Sequence, residues 1–418
     1  MGVTFNAAFP TVYVEIGLST ASSGFAMWDV STFDSGTFGP DTVWTDITAD
    51  IRQLTTNLGR QREGDRYYGG MSLVADNRTG KYTPGNLAGP FVSAGISQIR
   101  PRVPIRVRTV WNGTAYAVAY GFVSDWGDRF PQYGFDALTQ ITVVDAWWKI
   151  ASVNPFGSSA VGQGETAGQR VQRIASAAGW TLPTNVQQGT ATMQATTLAQ
   201  SLSSEMLLTA DSEGGEVWCD PDGTLVFEGR YSLVESVRSN TARVTFGPGA
   251  GEIPMSDIQM SQAADRLANQ FLLARAGGTQ QTAADPTSVA LYGAIPYTRH
   301  DLICESDATV VGIAGISLAI RKDPEYRPAS VMVQAAVNPS LMWPWALGLR
   351  IRDRVNIKVN STVSGVTTTH HCFVEGVQHD ISPQQWATTF TFSSATPYDG
   401  FTTSTWDTGL FETAQWFF

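Results

Sequence analysis

The feature that most constrains the fold is an alternation of apolar and polar residues that occurs twice, once near each end of the chain. Strict alternation places every second side chain on one face of a sheet. Order and phase of the segments agree between the two halves, although their spacing differs, so we predict a duplicated β unit. The alternative is that a β-rich chain contains two such strands by chance. The matched segments are 102–108, 121–125 and 140–144 in the first half, and 354–360, 376–380 and 388–392 in the second half.

Length and charge bound the class of protein. At 418 residues the chain exceeds one ordinary core, so two to four domains are expected. Hydrophobic residues make up 43% and charged residues only 15%, a balance typical of a folded chain with a sparsely charged surface, as in large assemblies. The net charge is −10, and no basic stripe suited to gripping nucleic acid phosphates is evident. An acidic balance suits a surface that must not hold DNA, and it is equally compatible with simple solubility.

The cysteines indicate a reducing compartment. Cys219, Cys304 and Cys372 are odd in number and far apart in sequence, so they do not form a disulfide framework and are expected to be buried or free thiols. The first residues show no charged region followed by an apolar core, so no signal peptide is indicated. No apolar run approaches the roughly 20 residues that span a bilayer.

Local patterns divide the chain into four parts. The fold class that they predict is mainly β with a small α+β insertion: two tube-like β-barrel or sandwich domains and a helix-helix-hairpin domain. Residues 28–44 are expected to form an exposed loop. The predicted parts are a β domain at 1–155, a small α+β domain at 156–236, a second β domain at 237–400 with one helix near 308–321, and a C-terminal tail at 401–418.

The small domain has the clearest local signals. Thr166 and Gln169 fit a capping box at the start of one helix, and Gly179 suits its end. Leu198, Leu202, Met206 and Ala210, four residues apart, predict a second helix. The segment 220–223 (DPDG) between two β-rich runs predicts a hairpin. Ser306 or Asp307 is expected to cap the later helix.

No motif supplies a catalytic or metal centre. His370, His371 and Cys372 are consecutive, and neighbouring residues of a strand point to opposite faces, so they do not converge on one ion. The segment 220–223 lacks the remaining ligands of a calcium loop. We therefore predict no cofactor, no metal and no enzymatic activity. A carboxylate pair for glycoside hydrolysis stays open, because such partners meet only in space.

For the arginine and tryptophan clusters we favour structural roles over binding roles. Arginines near 100–108 and 350–354 are expected to form the polar face of the alternating strands rather than a basic strip. Trp147-Trp148 and Trp343-Pro344-Trp345 are expected to pack in a core or subunit interface, with sugar stacking as the alternative.

The C-terminal tail carries the candidate docking residues. A cluster of exposed aromatic side chains usually marks contact with a partner. We therefore expect the tail to dock on a neighbouring protein through Trp406, Phe411, Trp416, Phe417 and Phe418.

The ordered combination of several short segments resembles a known family, the tail hub proteins of tailed bacteriophages. These are the baseplate-hub-like proteins, often labelled minor tail proteins, of siphophages that infect high-GC Gram-positive hosts. The resemblance covers residues 40–395. The segments that carry it are 44–48 (WTDIT), 59–60 (GR), 77–84 (NRTGKYTP), 220–225 (DPDGTL), Asn269, 288–293 (SVALYG), 347–348 (LG), 353–355 (DRV) and 385–386 (QW).

The resemblance implies an architecture and a place in a virion. Such hubs are typically homotrimers with two tube-like β domains per subunit, so that three subunits form a pseudo-sixfold ring against a sixfold tail tube. The ring would line the channel through which DNA passes without specific binding. The implied partners are the distal tail protein, the tape-measure protein and other minor tail or receptor-binding proteins. The implied location is the tail tip of the virion, after synthesis in the host cytoplasm.

Three other functions remain open from the sequence. One is the distal-tail ring or another minor tail protein. Another is an adhesin that recognises cell-wall glycan through exposed tryptophans. The third is a glycan hydrolase. The residues alone predict only a multidomain, β-rich assembly protein, and the hub function comes from the resemblance.

Overall fold

A computed structural model describes eight stretches of the chain: 5–19, 42–60, 65–93, 95–154, 160–198, 200–264, 266–360 and 365–399. Their helices are α1 Trp148–Ala151, α2 Ala167–Ala177, α3 Leu202–Glu213, α4 Ser232–Glu235, α5 Val237–Asn240, α6 Pro286–Tyr292, α7 Asp307–Arg321 and α8 Pro339–Gly348. Strands of the N-terminal part are β1 Thr11–Ser19, β2 Thr42–Asp46, β3 Ile51–Gly59, β4 Tyr68–Asp76, β5 Val92–Ser93, β6 Ile96–Ser97, β7 Pro104–Trp111, β8 Thr114–Arg129 and β9 Leu138–Asp145. Those of the middle part are β10 Ala160–Val161, β11 Glu165–Thr166, β12 Thr184–Val186, β13 Thr192–Met193, β14 Thr196–Thr197, β15 Glu216–Cys219 and β16 Leu225–Glu228. Those of the C-terminal part are β17 Thr245–Phe246, β18 Asp257–Ser261, β19 Gln270–Arg275, β20 Gln281–Ala284, β21 Pro296–Leu302, β22 Arg327–Val333, β23 Arg354–Asn360, β24 Thr367–Ile381 and β25 Trp386–Ser394.

One large sheet dominates the molecule. Among the described residues, thirteen strands belong to it, and its pairs are antiparallel except for β17 with β23. The first β unit contributes the order β3-β4-β9-β8-β7-β1-β2, and the second contributes β18-β22-β25-β24-β23-β17. This confirms the mainly β fold class, with both predicted β units lying in a single continuous sheet.

The two β units are built alike from strand to strand. The first unit runs β3-β4-β9-β8-β7 and the second runs β18-β22-β25-β24-β23, and in each unit a tight turn precedes the last of these strands. That turn has the same backbone in both: Arg102 (φ 75°) and Arg352 (φ 69°) are in the left-handed region, which non-glycine residues seldom adopt. The Arg102 N–H donates to the Val123 carbonyl at 2.8 Å, and the Arg352 N–H donates to the Val374 carbonyl at 2.6 Å. The predicted duplication is therefore present in the fold.

A β-bulge occurs at the same place in both units. The ladder between β8 and β9 shifts after Val123, and the ladder between β24 and β25 shifts after Val374. The extra residues are Ser124 in the first unit and Glu375 in the second. A bulge inserts one unpaired residue and bends the strand, so its repetition is a specific structural match.

The register of the duplication differs from the one that the sequence predicts. The alternating segments pair Arg102 with Arg354, whereas the turns and hydrogen bonds match Arg102 with Arg352. An alternating pattern is unchanged by a shift of two residues, so it cannot detect this error. Ala146, which follows β9, and Ala395, which follows β25, occupy equivalent positions, and both are fully buried.

β24 joins the two units within the chain, because it is long enough to pair with two different strands along the same edge. Its first half pairs with β23 of its own unit. Its second half, Gly376–Ile381, pairs antiparallel with β3, residues Gly59–Leu54, of the first unit. The hydrogen bonding of the sheet therefore continues from one unit into the other.

The apolar side chains form two main cores. One lies on the large sheet and combines residues of both β units with α8. The second combines residues 146–227 with residues 268–318, which include β19, β21 and α7. The small α+β layer thus packs with a segment that the sequence assigns to the second β domain.

Local signals in the α+β layer are reproduced closely. Thr166 and Gln169 make the reciprocal bonds of a capping box at α2. Residues 216–228 form the hairpin β15–β16, with Gly223 at φ 87°. Ser306, rather than Asp307, caps α7. Leu198 lies before α3, which begins at Leu202.

Two predicted segments fall largely outside the described residues. Positions 28–41 of the expected loop and the whole tail 401–418 belong there. The remainder of the expected loop, 42–44, is wrong as a loop, because these residues form the start of β2 and pair with β1. No helix in the described ranges is both long enough and apolar enough for a bilayer span.

Candidate functional site

The tail residues predicted to dock on a partner cannot be placed. Trp406, Phe411, Trp416, Phe417 and Phe418 lie outside the described residues, so their role stays a prediction. The other candidates from the sequence can be located.

The histidine pair lies on β24, and His371 has an ordinary polar partner. His371 Nδ1 is 2.8 Å from Asn356 Oδ1 on the neighbouring strand. Burial lowers the pKa of His370. In the described part of the chain, no group of three or more histidine, cysteine, aspartate and glutamate side chains is arranged to hold a metal ion. All three cysteines are free and buried, as expected.

The acidic turn 220–223 is structural. The Asp220 carboxylate accepts a hydrogen bond from Trp218 Nε1 at 2.8 Å, and the Thr224 N–H donates to Asp222 at 2.9 Å. Both carboxylates are therefore used inside the hairpin.

Arginines on β7 are held by one carboxylate. Glu15 on β1 is buried and accepts from Arg106 Nε at 2.8 Å and from Arg108 Nε at 2.9 Å. The hydrogen bond from Arg108 is the main cause that lowers the pKa of Glu15, against the opposing effect of burial. Each guanidinium also lies over an aromatic ring, Arg106 over Trp44 and Arg108 over Tyr13. These arginines form the polar face of the strand, as predicted.

The second arginine cluster does not form a strip, and the predicted polar strand face is wrong for Arg350 and Arg352, because both precede β23. Arg352 is buried, with its Nε 3.2 Å from Glu228 Oε2. Arg350 donates to the carbonyl of Leu347 at 2.8 Å, and Arg354 pairs with Asp399. These side chains tie the turn before β23 to its surroundings, because burial of an arginine requires such partners.

Trp343 lies at the centre of the large core. It is fully buried, and its ring centroid is 4.7 Å from that of Trp386 and 6.0 Å from that of Phe9. Its Nε1 donates to the carbonyl of Ala8 at 2.9 Å. Core packing, the interpretation we favour, is correct for this residue. Trp147, Trp148 and Trp345 are half-buried.

A buried ion pair lies where the two β units meet the α+β layer. Arg60, which follows β3, donates through Nε to Glu375 Oε2 at 2.7 Å and through a terminal nitrogen to Glu216 Oε1 at 2.9 Å. The Tyr67 hydroxyl and the Ser393 hydroxyl also donate to Glu375, at 2.6 Å and 2.5 Å. Glu375 is the extra residue of the bulge in β24, so the bulge directs its carboxylate to Arg60.

The electrostatics of this pair favour the ionised carboxylate. Burial opposes ionisation, but the charge of Arg60 and three hydrogen bonds outweigh it and lower the pKa of Glu375 to about 2. We call Arg60, Glu375, Glu216 and Tyr67 the junction cluster. It connects three parts of the chain through polar contacts around the buried side chains of Arg60 and Glu375.

A cavity of about 290 Å³ adjoins the junction cluster. It lies between the large sheet and the α+β layer, and its wall carries more arginines than carboxylates. Burial and the charge of Arg60 lower the pKa of Arg266 in this wall. The arginines of the wall are Arg60, Arg66, Arg230, Arg266, Arg299, Arg321 and Arg352, and its acidic residues are Asp65, Asp211, Glu216 and Glu375.

The sheet has an open edge in the first unit. β7 covers β8 only up to Phe122. Beyond the bulge, residues 125–129 of β8 pair with β9 on one side, and among the described residues no strand pairs with them on the other. In the second unit this position is occupied, because β3 pairs with the second half of β24.

Exposed aromatic side chains adjoin this open edge. Phe130 is 60% exposed, Tyr133 is fully exposed and Phe135 is 84% exposed. They lie in the turn between β8 and β9, where Gln132 and Tyr133 have positive φ angles of 49° and 57°. Large apolar side chains clustered at a surface usually mark a contact with another molecule.

The second unit has an open edge of its own. β18 is the last strand on that side of the sheet and pairs only with β22 among the described strands. Asp257 and Gln259 are exposed, whereas Ile258 and Met260 are half-buried. Exposed edges offer unpaired N–H and C=O groups to another strand.

Sequence reasoning missed the junction cluster and both open edges. Arg60 belongs to a segment that carries the family resemblance, and no local pattern marks Glu375. A signal was available for the aromatic turn, because residues 130–135 (FPQYGF) place three aromatic side chains among proline and glycine. The strand β18 offers no comparable signal.

Comparison with known proteins identifies the fold. No family model and no curated protein matches the chain. The chain is similar to the 43 kDa tail protein of prophage MuSo2 from Shewanella oneidensis, with 11% identity, a TM-score of 0.55, and coverage of 93% of this chain and 98% of that one. It is also similar to the tail protein from Neisseria meningitidis MC58, with 11% identity, a TM-score of 0.56, and coverage of 92% of this chain and 96% of that one. At this identity the similarity is one of fold.

Proposed function

We propose that this chain is a structural protein of a phage tail, and that it forms the hub ring at the tail tip. The observation that carries the proposal is the duplicated β unit, joined edge to edge inside one chain. Its fold, shared over nearly the full length with two tail proteins, supports the assignment to a tail.

The duplication explains why such a chain would form a ring with fewer subunits than the tail tube. Three copies contain six equivalent β units, so a trimer presents six similar sheets to a sixfold neighbour. Closed rings use one interface repeatedly, and both open edges are available for it. The hub would then join the tail tube and distal ring to a threefold tip.

The charge pattern supports a channel through which DNA passes without specific binding. The chain carries a net charge of −10. Glu15 offsets part of the positive charge of Arg106 and Arg108 on β7, and Arg352 is buried beside Glu228. A lumen without a basic strip would not retain the phosphate backbone. We propose no catalysis and no cofactor, and we propose the distal tail, tape-measure and other minor tail proteins as partners.

Symmetry is the decisive measurement for the hub proposal. We expect electron microscopy of isolated tail tips, with this chain located by fitting its fold into density, to show three copies around a central channel. Six copies would instead identify a distal-tail ring. A peripheral position away from any channel would overturn the hub and favour a glycan-binding adhesin.

Removal of the C-terminal tail is expected to block assembly without unfolding the chain. Deleting 401–418 should leave the melting temperature of the purified chain unchanged and should reduce complete tails, counted by electron microscopy, at least tenfold. A matched variant keeps the length and replaces Trp406, Phe411, Trp416, Phe417 and Phe418 by serine. Normal numbers of complete tails from both variants would contradict the docking role of these aromatic residues.

A further inference from the structure

We propose that the open edge of β8 in one copy pairs with β18 of a second copy, extending the sheet from chain to chain. The pairing is antiparallel, with Arg129 of one copy opposite Gln259 of the other. The inference rests on the proposed ring and specifies the strands and the register that close it.

The first step is the correspondence between β8 and β24. Val123 and Val374 occupy the same position, because each receives the N–H of the left-handed arginine and each precedes the bulge. Counting along both strands, Arg129 corresponds to Asp380 and Phe130 corresponds to Ile381.

The second step is the correspondence between β3 and β18. It follows from the ladders, since residues directly opposite one another in two equivalent sheets are themselves equivalent. Val143 on β9 pairs with Val123, and Phe392 on β25 pairs with Val374. We begin two residues before each of these partners and follow the paired residues across the sheet to β3 and to β18. In the first unit the successive residues are Ile141, Leu73 and Leu54, and in the second unit they are Phe390, Val331 and Ile258.

The third step transfers the joint that exists inside the chain. There, Leu54 lies opposite Ile381, and Thr55 lies opposite Asp380. Replacing each residue by its counterpart in the other unit places Ile258 opposite Phe130, and Gln259 opposite Arg129. The intrachain joint therefore gives the register for a joint between copies.

Burial supports this transfer. Ile381 and Leu54 are 2% and 1% exposed, because each is covered by the other unit. Their counterparts differ: Phe130 is 60% exposed and Ile258 is half-buried. A second copy that pairs with this edge would cover Phe130, just as the first unit already covers the equivalent Ile381 within the chain. This accounts for a phenylalanine at an otherwise exposed strand end.

Polar groups at the edge are compatible with pairing. Charged side chains often protect a free edge, and residues 125–129 include three of them, Asp125, Asp128 and Arg129. Asp128 Oδ1, however, accepts from Thr139 Oγ1 at 2.6 Å within its own unit. The counterparts make the same contact, with His379 Nδ1 3.0 Å from Thr388 Oγ1. In both units the side chain at this position is therefore bound by a threonine of its own unit. In the second unit this contact is present while β3 pairs with the edge.

The geometry favours a closed ring over a symmetric dimer. Each copy offers β8 at one place and β18 at another, so the contact is head-to-tail and repeats around an axis. The two edges lie seven strand positions apart in the sheet order, which prevents one chain from satisfying both within itself.

Disulfide trapping tests the register directly. The inside pair Thr55 and Asp380 shows that side chains meet at this position, since Thr55 Oγ1 donates to Asp380 Oδ1 at 2.9 Å. We expect the full chain carrying Arg129→Cys and Gln259→Cys to form disulfide-linked dimers and trimers under mild oxidation on a non-reducing gel. The native cysteines are buried and provide no competing surface thiol.

Two matched controls set the expectation. Thr55→Cys with Asp380→Cys should form the equivalent bond within one chain. The second control combines Arg129→Cys with Asp257→Cys, which lies on the same face as Gln259 but two residues away. The two side chains would then be diagonal neighbours roughly 7–8 Å apart, whereas a disulfide needs Cβ atoms about 4 Å apart. This pair should therefore cross-link at least tenfold less.

A second variant tests the apolar contact. Phe130→Ser should weaken self-association at least tenfold by mass photometry while leaving the melting temperature of the monomer unchanged. Leu291→Ser, at another exposed apolar residue, should change neither.

The outcomes separate this inference from the hub proposal. Three-copy particles that fail to link at 129 and 259, although the intrachain control links, would overturn the strand joint and leave the ring intact. A chain that stays monomeric and unlinked at all concentrations would overturn both. Equal linking of the displaced pair would overturn the register.

Discussion

Replacing Arg60 by methionine is expected to lower the free energy of unfolding by about 3–5 kcal/mol, because it leaves the buried carboxylate of Glu375 without its positive partner. Glu375 is 4% exposed, so its carboxylate would lose its positive partner in a largely desolvated position. The change also removes the contact with Glu216, which lies 2.9 Å from Arg60. Urea denaturation followed by circular dichroism measures the loss.

An exposed ion pair provides the matched control. Arg78 pairs with Asp76 at the surface, and Arg78→Ala should lower the free energy of unfolding far less than Arg60→Met does, because exposed ion pairs contribute little. If Arg60→Met is no more destabilising than Arg78→Ala, the junction cluster does not hold the β units to the α+β layer.

Acidification should reduce the difference between wild type and Glu375→Gln. The folded-state pKa of Glu375 is lowered from 4.5 to about 2, so its ionisation stabilises the fold above the unfolded pKa and this contribution is lost as pH falls toward 2. That shift corresponds to about 3 kcal/mol at neutral pH. Melting temperatures of both proteins should therefore differ most at pH 7 and converge near pH 2 to 3. A difference that is independent of pH would contradict this account.

Replacing Trp343 by alanine is expected to cost about 3–5 kcal/mol of unfolding free energy, the range for removing a large aromatic side chain from a core. Trp343 is fully buried against Trp386 and Phe9, and it donates to the carbonyl of Ala8. Its ring also lies 6.3 Å from Trp111 on β7. The substitution thus leaves a cavity shared by both β units and the N-terminal segment.

Two neighbouring variants test the cause. Trp345→Ala, two residues along the same helix and half-buried, should cost clearly less than Trp343→Ala. Trp343→Phe keeps most of the apolar volume but leaves the Ala8 carbonyl without its donor, so it should fall between the two. Chemical denaturation compares all three. A smaller loss for Trp343→Ala than for Trp345→Ala would show that the core can close over the gap.

Those parts of the fold that depend on neighbouring residues were predictable. The capping box of Thr166 and Gln169 and the hairpin turn ending at Gly223 require only residues a few positions apart, and both formed as predicted. Alternation in β7 and β23 likewise predicted strands. The helix near 308–321 was correct to within one residue because Ser306 caps it.

The candidate site was less predictable because its parts are distant in sequence. Arg60 and Glu375 are separated by 315 residues, and no local sequence pattern around either residue indicates that they form an ion pair. The sequence predicts the wrong register for the duplication for a different reason. Alternation repeats every two residues, so only the backbone turn at Arg102 and Arg352 reveals the correct alignment of the two units. The edge β18 becomes visible only when the partner of its counterpart β3 is known.

The two bulge residues are encoded separately, which has a consequence for how the sheet can vary. In a ring of identical single-unit chains, one codon change would alter every contact at once. Here the two bulge residues differ: Glu375 is buried in an ion pair, whereas Ser124 is exposed and donates to the carbonyl of Thr142. One unit can therefore carry a buried charge at this backbone position while the other carries a small neutral residue.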